Sequence, residues 1–214
     1  MLKHVKHLED KFGIGPHTIS VPRLRPALGW ALKEVPHEVK DIDFKKIVAI
    51  FRLSVPYTGI ILSTRESNKL RDELLELGVS QISAGSRTNP GGYEANDNQA
   101  DQFEISDSRT LNEMMNAICD KGYLPSFCTA CYRRKRTGEN FMNYAKAGEI
   151  HEFCQPNAIL TFKEGVLDYG DDKIKQRAER IIENALEEIE DVDIKKATIA
   201  KLADMDNGAR DLFF

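Results

Sequence analysis

Residues 59–64 have the sequence GIILST, a continuous apolar run of strand length. A strand without polar alternation is typical of a parallel sheet that is covered on both faces. On either side of this run, residues 41–53 and 70–78 predict helices, the first of them largely buried. Residues 17–21 (HTISV) and 79–84 (VSQISA) predict two further strands. The order β-α-β-α-β predicts an α/β fold with a parallel sheet.

The number of predicted strands is too small for a closed barrel or a fully covered sheet. Three parallel strands alone leave an apolar edge exposed. The sequence also opens in what reads as the middle of a helix, with Val5 and Leu8 as its apolar positions. We therefore expect the chain to be the C-terminal portion of a larger α/β unit whose other strands precede Met1.

The composition is that of an ordinary globular protein. The 214 residues include 30 Lys+Arg and 34 Asp+Glu, for a net charge of −4. A nucleic-acid-binding protein usually carries a clustered excess of cations, so this balance argues against one. No apolar run approaches the length of a membrane span, and the first residues are too polar for a signal or transit peptide. These features predict a cytoplasmic protein with no nucleic-acid or membrane partner.

The sequence changes character after Tyr93. Residues 94–101 (EANDNQAD) are polar and acidic and predict a linker. Beyond them, either Ser106 or Asp107 is expected to cap a helix that ends at Gly122. Residues 171–189 carry apolar side chains at helical spacing between charged ones, which predicts a long surface helix. The second part of the chain is therefore expected to be mostly helical.

The cysteines carry the strongest functional signal. Cys128 and Cys131 form a Cys-x2-Cys pair, Cys154 follows after 22 intervening residues, and Cys119 stands alone. Four cysteines in a cytoplasmic chain are too few for a disulfide framework. Two sulfurs on so short a loop converge on one cation, and the four cations at 133–136 would favour thiolates. The spacing therefore predicts a metal site.

The residues leave the kind of metal site open. A structural zinc ion needs four ligands, and His151 would complete the three cysteines. An iron–sulfur cluster on three cysteines would leave one iron free to bind another group. The cysteines would otherwise be packed as small apolar side chains. A redox Cys-x2-Cys usually follows a strand in a thioredoxin-like unit, and this context does not provide one.

Four segments together resemble a known family, the HydG radical-SAM tyrosine lyases of [FeFe]-hydrogenase maturation. The resemblance spans the whole chain and concerns the C-terminal half of these enzymes. It implies that residues 1–93 form the last three βα units of a (β/α)8 TIM barrel and that 94–214 form a mostly helical auxiliary iron–sulfur cluster domain. The segments are HTISVPRLRPA (17–27), PYTGIILSTRES (56–67), VSQISAGSRTNPGGY (79–93) and CTACYRRKRTGENFM (128–142).

The resemblance also implies a reaction. In the family, a first [4Fe–4S] cluster cleaves S-adenosylmethionine to a radical that attacks tyrosine. Tyrosine breaks into p-cresol and dehydroglycine, and dehydroglycine is converted to CO and cyanide on an auxiliary [4Fe–4S] cluster that carries a labile iron. By this resemblance Cys128, Cys131 and Cys154 ligate the auxiliary cluster. A histidine helps to hold the labile iron, and His7 fits best among His4, His7 and His17.

Arg65 and Ser83 are the candidate substrate-binding residues. Both stand near the carboxyl ends of predicted strands, where barrel enzymes place their chemistry. An arginine can grip a carboxylate with two hydrogen bonds and a serine can add a third. By resemblance to related amino-acid lyases, the pair would bind the carboxylate of tyrosine. The alternatives are a surface pair of Arg65 with Glu66 and a satisfied strand hydroxyl at Ser83.

The sequence departs from the family at one point. It contains no Cys-x3-Cys-x2-Cys motif, so this chain cannot itself bind S-adenosylmethionine and the radical-generating cluster in the family's manner. We expect it to be inactive alone and to need the N-terminal barrel half, with hydrogenase maturation proteins as further partners. The alternatives are a fragment of the thiamine-pathway tyrosine lyase, 2-iminoacetate synthase, and a zinc-stabilised binding module.

Overall fold

The structure is a computed structural model that describes residues 1–25, 35–89, 91–93 and 103–214. Two compact units make up the chain, Met1–Leu111 and Asn112–Phe214. The sequence placed the boundary at 93/94, and the linker predicted at 94–101 lies outside the described residues. Each unit has its own apolar core.

The first unit is built on a parallel sheet, as the sequence predicts. Within the described residues the sheet has three strands in the order β1-β2-β3, with Ile19 beside Ile60 and Leu62 beside Ile82. The elements follow one another as α1 (Leu2–Phe12), β1 (Thr18–Ser20), α2 (Asp41–Ser54), β2 (Gly59–Leu62), α3 (Asn68–Glu76) and β3 (Gln81–Ile82). The predicted β-α-β-α-β order, and with it the α/β fold class of a partial barrel, is confirmed.

The apolar side chains of β2 hold this unit together. Ile60 and Leu62 are buried in a core that includes Ile19 and Leu74. Helix α3 begins where the Ser67 hydroxyl accepts a hydrogen bond from the Leu70 N–H at 3.4 Å. Burial of these side chains stabilises the fold by about 25 cal/mol for each Å² removed from water.

All three strands are shorter than predicted, and hydrogen bonds explain where β2 and β3 end. Strand β2 was predicted for residues 59–64 but ends at Leu62. Beyond that point the Thr64 carbonyl accepts hydrogen bonds from the N–H groups of Ser106 and Asp107, at 3.0 and 3.1 Å, and not from a neighbouring strand. Pairing of β3 stops at Ile82, since the next carbonyl, that of Ser83, accepts from the Arg71 guanidinium. Side-chain and loop hydrogen bonds therefore replace the ladder at the carboxyl ends of both strands.

Helix α2 is present as predicted, but it is not largely buried. Phe44 and Val48 face the core, whereas Ile42 is 59%, Ile50 51% and Leu53 84% exposed. A helix that covers one face of a sheet contacts it through a single stripe of side chains. Phe51 also packs against this core, whereas Ile42, Ile50 and Leu53 face away from it.

The expected helix cap at Ser106 or Asp107 is wrong. Helix α4 (Leu111–Asp120) begins four residues after Asp107. The Asp107 carboxylate is fully buried and accepts hydrogen bonds from the Arg71 and Arg109 guanidinium groups. Burial with two arginines outweighs the usual preference of an aspartate for a helix terminus.

The second unit is mostly helical, as predicted. Helix α7 packs against α8 and α9 around an apolar core that includes Phe162 and Ile174. Asp171 caps α8 by accepting from the Ile174 N–H at 2.9 Å, so the long helix predicted at 171–189 is confirmed. After α4 the elements are α5 (Ala130–Arg133), α6 (Gly138–Ala147), α7 (His151–Tyr169), α8 (Asp172–Glu187) and α9 (Val192–Asp206).

Helix α7 brings Cys154 into the second unit. Cys154 lies in its first turn and Pro156 follows two residues later, inside the helix. A proline near a helix start removes a backbone donor that would otherwise be bonded, but its fixed φ suits the helix. None of the helices in the described part of the chain has the length and apolar character needed to cross a membrane.

Candidate functional site

Cys128 and Cys131 lie on a tight loop that is shaped by its own backbone. Cys128 precedes the short helix α5 and Cys131 lies within it. The Ala130 N–H donates to the Cys128 Sγ at 3.3 Å, and the Cys128 N–H donates to the Ser126 Oγ at 3.3 Å. An N–H directed at a sulfur favours the thiolate form, which is the form that binds a metal.

The three cysteines that the sequence groups together also influence one another in the structure. Cys154 is exposed as a residue, but the atoms packed around its thiol and the neighbouring Cys131 and Cys128 raise its pKa to about 11, while Arg136 lowers it. Burial likewise raises the pKa of Cys128, with a smaller contribution from Cys131. The neighbouring sulfurs therefore make the thiolates of Cys128 and Cys154 harder to form, which is the electrostatic situation that a bound cation relieves.

The donor set fits a metal, although it is not drawn together. All four cysteines are free. Among the residues that the structure describes, no group of three or more His, Cys, Asp or Glu side chains is arranged to hold a metal ion. Thiolates suit iron–sulfur clusters and zinc alike, so the chemistry fits both. His151, the fourth ligand in the zinc alternative, is exposed at the start of α7.

The four cations after Cys131 have different surroundings. Arg133 forms an ion pair with Asp211, and both Arg133 and Arg134 lie over the Phe213 ring. Arg136 is the cation that lowers the pKa of both Cys128 and Cys154. The sequence suggested that all four cations would favour thiolates, whereas the structure separates Arg136 from its neighbours.

The candidate histidines belong to the first unit. His4 and His7 are exposed on α1, and His17 is exposed immediately before β1. The cysteines belong to the second unit. The role of His7 at a labile iron therefore stays a prediction.

The structure places Arg65 and Ser83 beyond the carboxyl ends of two neighbouring strands. Arg65 follows β2 by three residues and Ser83 directly follows β3. The Arg65 guanidinium lies 3.9 Å from the centre of the Phe103 ring, and its Nη1 donates to the Arg23 carbonyl at 3.5 Å. Both residues are half-buried. This edge of the sheet is where an α/β protein binds its ligands.

The surface pair of Arg65 with Glu66 does not form. Glu66 is 1% exposed and accepts from Arg23 and from the Arg25 Nη2, the latter at 2.8 Å. Sequence reasoning missed these buried ion pairs. The signal available was the position of Arg23, Arg25 and Glu66, which all follow a predicted strand by a few residues.

A family model and two curated proteins match about half of this chain or slightly more. The family Biotin and Thiamin Synthesis associated domain matches residues 20–124. The 2-iminoacetate synthase of Escherichia coli is 32% identical over 123 residues, which is 58% of this chain and 32% of that protein. The 2-iminoacetate synthase of Salmonella typhimurium is 30% identical over the same shares.

The similarity to solved structures extends further. HydG, a maturase of the [FeFe]-hydrogenase, matches with a TM-score of 0.93 and 55% identity over 99% of this chain and 46% of that structure. The FeFe-hydrogenase maturase HydG from Carboxydothermus hydrogenoformans matches with a TM-score of 0.72 and 40% identity over 94% and 42%. The chain therefore spans about half the length of these maturases, and the predicted resemblance is confirmed.

Proposed function

Because the chain is a homologue of the HydG maturases, we propose that it is the auxiliary-cluster half of a radical-SAM tyrosine lyase that serves [FeFe]-hydrogenase maturation. Cys128, Cys131 and Cys154 hold the auxiliary [4Fe–4S] cluster. When bound, the cluster supplies an open coordination position for a labile iron, which is the cargo that collects CO and cyanide. The observation that carries the proposal is the similarity to the HydG structure, at 55% identity over 99% of this chain, which includes the segment with these three cysteines.

The extent of the similarities supports HydG-type chemistry over the thiamine-pathway alternative. The match to the Biotin and Thiamin Synthesis associated domain ends at residue 124, before Cys128. Similarity to the HydG structures covers nearly the whole chain and so includes all three cysteines. A thiamine-type lyase would release dehydroglycine and would need no cysteine cluster in this region.

The first unit would bind the substrate. We propose that Arg65 and Ser83 hold the carboxylate of tyrosine, which the lyase cleaves to p-cresol and dehydroglycine before dehydroglycine yields CO and cyanide. Stacking on Phe103 fixes the plane of the Arg65 guanidinium, and a fixed plane suits two parallel hydrogen bonds to a carboxylate. S-adenosylmethionine and its [4Fe–4S] cluster would be bound by an N-terminal barrel half, since Cys119 is the only cysteine outside the trio.

Anaerobic reconstitution of the chain with iron and sulfide tests the cluster. We expect about four irons per chain, the content of a [4Fe–4S] cluster. Changing Cys128, Cys131 and Cys154 together to Ser should remove the iron, whereas Cys119→Ser, the matched control, should retain it. Stoichiometric zinc in place of iron would instead support the zinc-stabilised module, with tetrahedral sulfur coordination and folding that depends on zinc.

Tyrosine binding tests the substrate site in the full-length enzyme. Hydrogen bonds to a charged group contribute about 1.5–3 kcal/mol, so Arg65→Ala should weaken tyrosine binding by about 10- to 100-fold in calorimetry. Arg87→Ala, which removes a cation from a nearby loop, serves as the control. Unchanged affinity in Arg65→Ala would refute the assigned role.

A further inference from the structure

The run of cations at 133–136 contains one member that is held in place by three separate parts of the second unit. The Arg136 N–H donates to the Cys131 carbonyl at 2.8 Å, which ties it to the cysteine loop. Its Nη2 donates to the Phe214 carbonyl at 2.7 Å. Its guanidinium lies 4.3 Å from the centre of the Phe153 ring, and Phe153 precedes Cys154. Arg136 thus connects the neighbourhoods of Cys131 and Cys154.

The segment that receives Arg136 is itself fixed to α7. The Phe214 N–H donates to the Asn157 Oδ1 at 2.9 Å, and Asn157 is 1% exposed. The Asp211 N–H donates to Glu164 at 2.7 Å. Residues 211–214 therefore offer Arg136 a rigid partner, and a guanidinium held in this way loses little further freedom when it binds another group.

One donor of Arg136 is left over. Its Nε is buried and has no hydrogen-bond partner among the described residues. A buried donor without a partner costs about 1–3 kcal/mol, so such an atom calls for a specific explanation. The atom belongs to a residue whose backbone N–H is bonded to the Cys131 carbonyl and whose guanidinium lies over Phe153, the neighbour of Cys154. An anionic group at the three thiols would satisfy both the spare N–H and the positive charge.

We propose that Arg136 is a positioning residue for the auxiliary cluster, with its Nε–H and its charge directed to the anionic sulfurs of that site. This inference rests on the proposed function and adds a specific role for one cation of the run. A positive charge beside a cluster stabilises the reduced form, which carries one more electron. Arg136 therefore raises the reduction potential of the cluster, whereas its neighbours secure residues 211–214.

The test is a redox titration of the reconstituted chain, followed by electron paramagnetic resonance. We expect Arg136→Gln to retain its iron and to shift the reduction potential to a more negative value. Arg136→Lys keeps the charge and should return the potential most of the way to that of the unchanged chain. Arg134→Gln removes the same charge two residues away, at a side chain that lies 5.1 Å from the Phe213 ring, and should shift the potential less.

Each outcome decides the proposal. An unchanged potential in iron-loaded Arg136→Gln, or an equal shift in Arg134→Gln, would overturn it while leaving the proposed function intact. If Arg136→Gln takes up no iron, recovery of iron in Arg136→Lys supports the proposal and failure to recover overturns it. If the unchanged chain takes up no iron, the proposed function fails and this inference fails with it.

Discussion

In the Met1–Leu111 unit buried charges meet opposite charges of the same chain, whereas in the Asn112–Phe214 unit the charge of Arg136 only partly offsets the effects that raise the pKa of Cys128 and Cys154. Arg71 and Asp107 are both fully buried and bound to each other. Although burial raises the pKa of Asp107, its bonds from Arg109 and the charge of Arg71 lower it overall. In the second unit the pKa of Cys128 and of Cys154 is raised instead.

Paired charges such as those of Arg71 and Asp107 stabilise the fold by themselves, whereas the thiols of Cys128 and Cys154 would be stabilised as thiolates by a bound cation. A carboxylate with a lowered pKa has found its counter-charges, so the folded chain needs nothing further there. For Cys128 and Cys154, unlike Cys119, neighbouring thiols contribute to the raised pKa, so their arrangement disfavours the thiolates that a metal would need. Such an arrangement becomes favourable when a cation binds, because the thiolates are then stabilised.

The largest expected effect tests the buried pair. Asp107→Ala leaves Arg71 as a buried charge without its carboxylate, and breaking a buried pair in this way costs about 3–5 kcal/mol. Urea unfolding measures this loss. Asp41→Ala is the control, since that carboxylate is 64% exposed in its pair with Arg23 and should cost under about 1 kcal/mol. Equal losses in the two variants would contradict the comparison.

The next largest effect concerns the ligand that the second unit awaits. A group that binds only the folded state, at about 100 times its dissociation constant, stabilises that state by about 2.7 kcal/mol. We therefore expect amide exchange in α7 and at 128–136 to be about 100-fold slower in the iron-loaded chain than after chelation. Exchange in β2 and α3 should not change. The triple Cys→Ser chain should show no difference, and uniform slowing across both units would count against the assignment.

A smaller effect concerns Cys119, whose thiol is buried in the core of the second unit. Burial raises the pKa of Cys119 from its ordinary value of 9.0 to about 11. The unfolded thiol therefore loses its proton first, and the free energy of unfolding falls as the pH rises from 9 to 11. Two pKa units correspond to at most about 2.7 kcal/mol. Cys119→Ala should reduce this fall in urea unfolding of the metal-free chain but not abolish it, because the pKa of Cys154 is also raised to about 11. A slope identical to that of the unchanged chain would refute the assignment.

The smallest effect compares helix caps between the units. Asp171 accepts from the Ile174 N–H at 2.9 Å and Ser67 from the Leu70 N–H at 3.4 Å. Losing a cap costs about 1 kcal/mol, and the longer bond should be the weaker one. We therefore expect Asp171→Ala to lower the stability more than Ser67→Ala in thermal unfolding. The reverse order would show that the cap distances do not govern the cost.

The sequence predicts a secondary-structure element correctly where its local pattern matches the side chains that the fold buries. The apolar run at 59–64 and the leucines after Ser67 predict β2 and α3 because their side chains form the core. Asp107 shows where such reasoning fails. Its partner Arg71 lies 36 residues away, and a long-range buried pair leaves no periodic trace in the sequence. The cap rule therefore assigned Asp107 to the wrong role.

The candidate site was predictable in part for the same reason. Cysteine spacing is a local signal, so it identifies Cys128, Cys131 and Cys154 as a group. The distinction of Arg136 from its neighbours depends on Phe214, which is 78 residues away. The position of Cys154 also depends on α7, whose internal Pro156 hides the helix from pattern reasoning. Only the folded second unit reveals which cation lies near the thiols.

The position of Cys154 at the start of α7 determines the order of assembly. In a flexible chain, bringing together two cysteines with 22 residues between them costs about 2.7 kcal/mol in loop-closure entropy. Here helix α6 and the first turn of α7 occupy most of that interval, so folding of the helices has already removed this freedom. A zinc finger, in contrast, remains unfolded until its metal arrives. We therefore expect cluster insertion to follow the folding of this unit rather than to drive it.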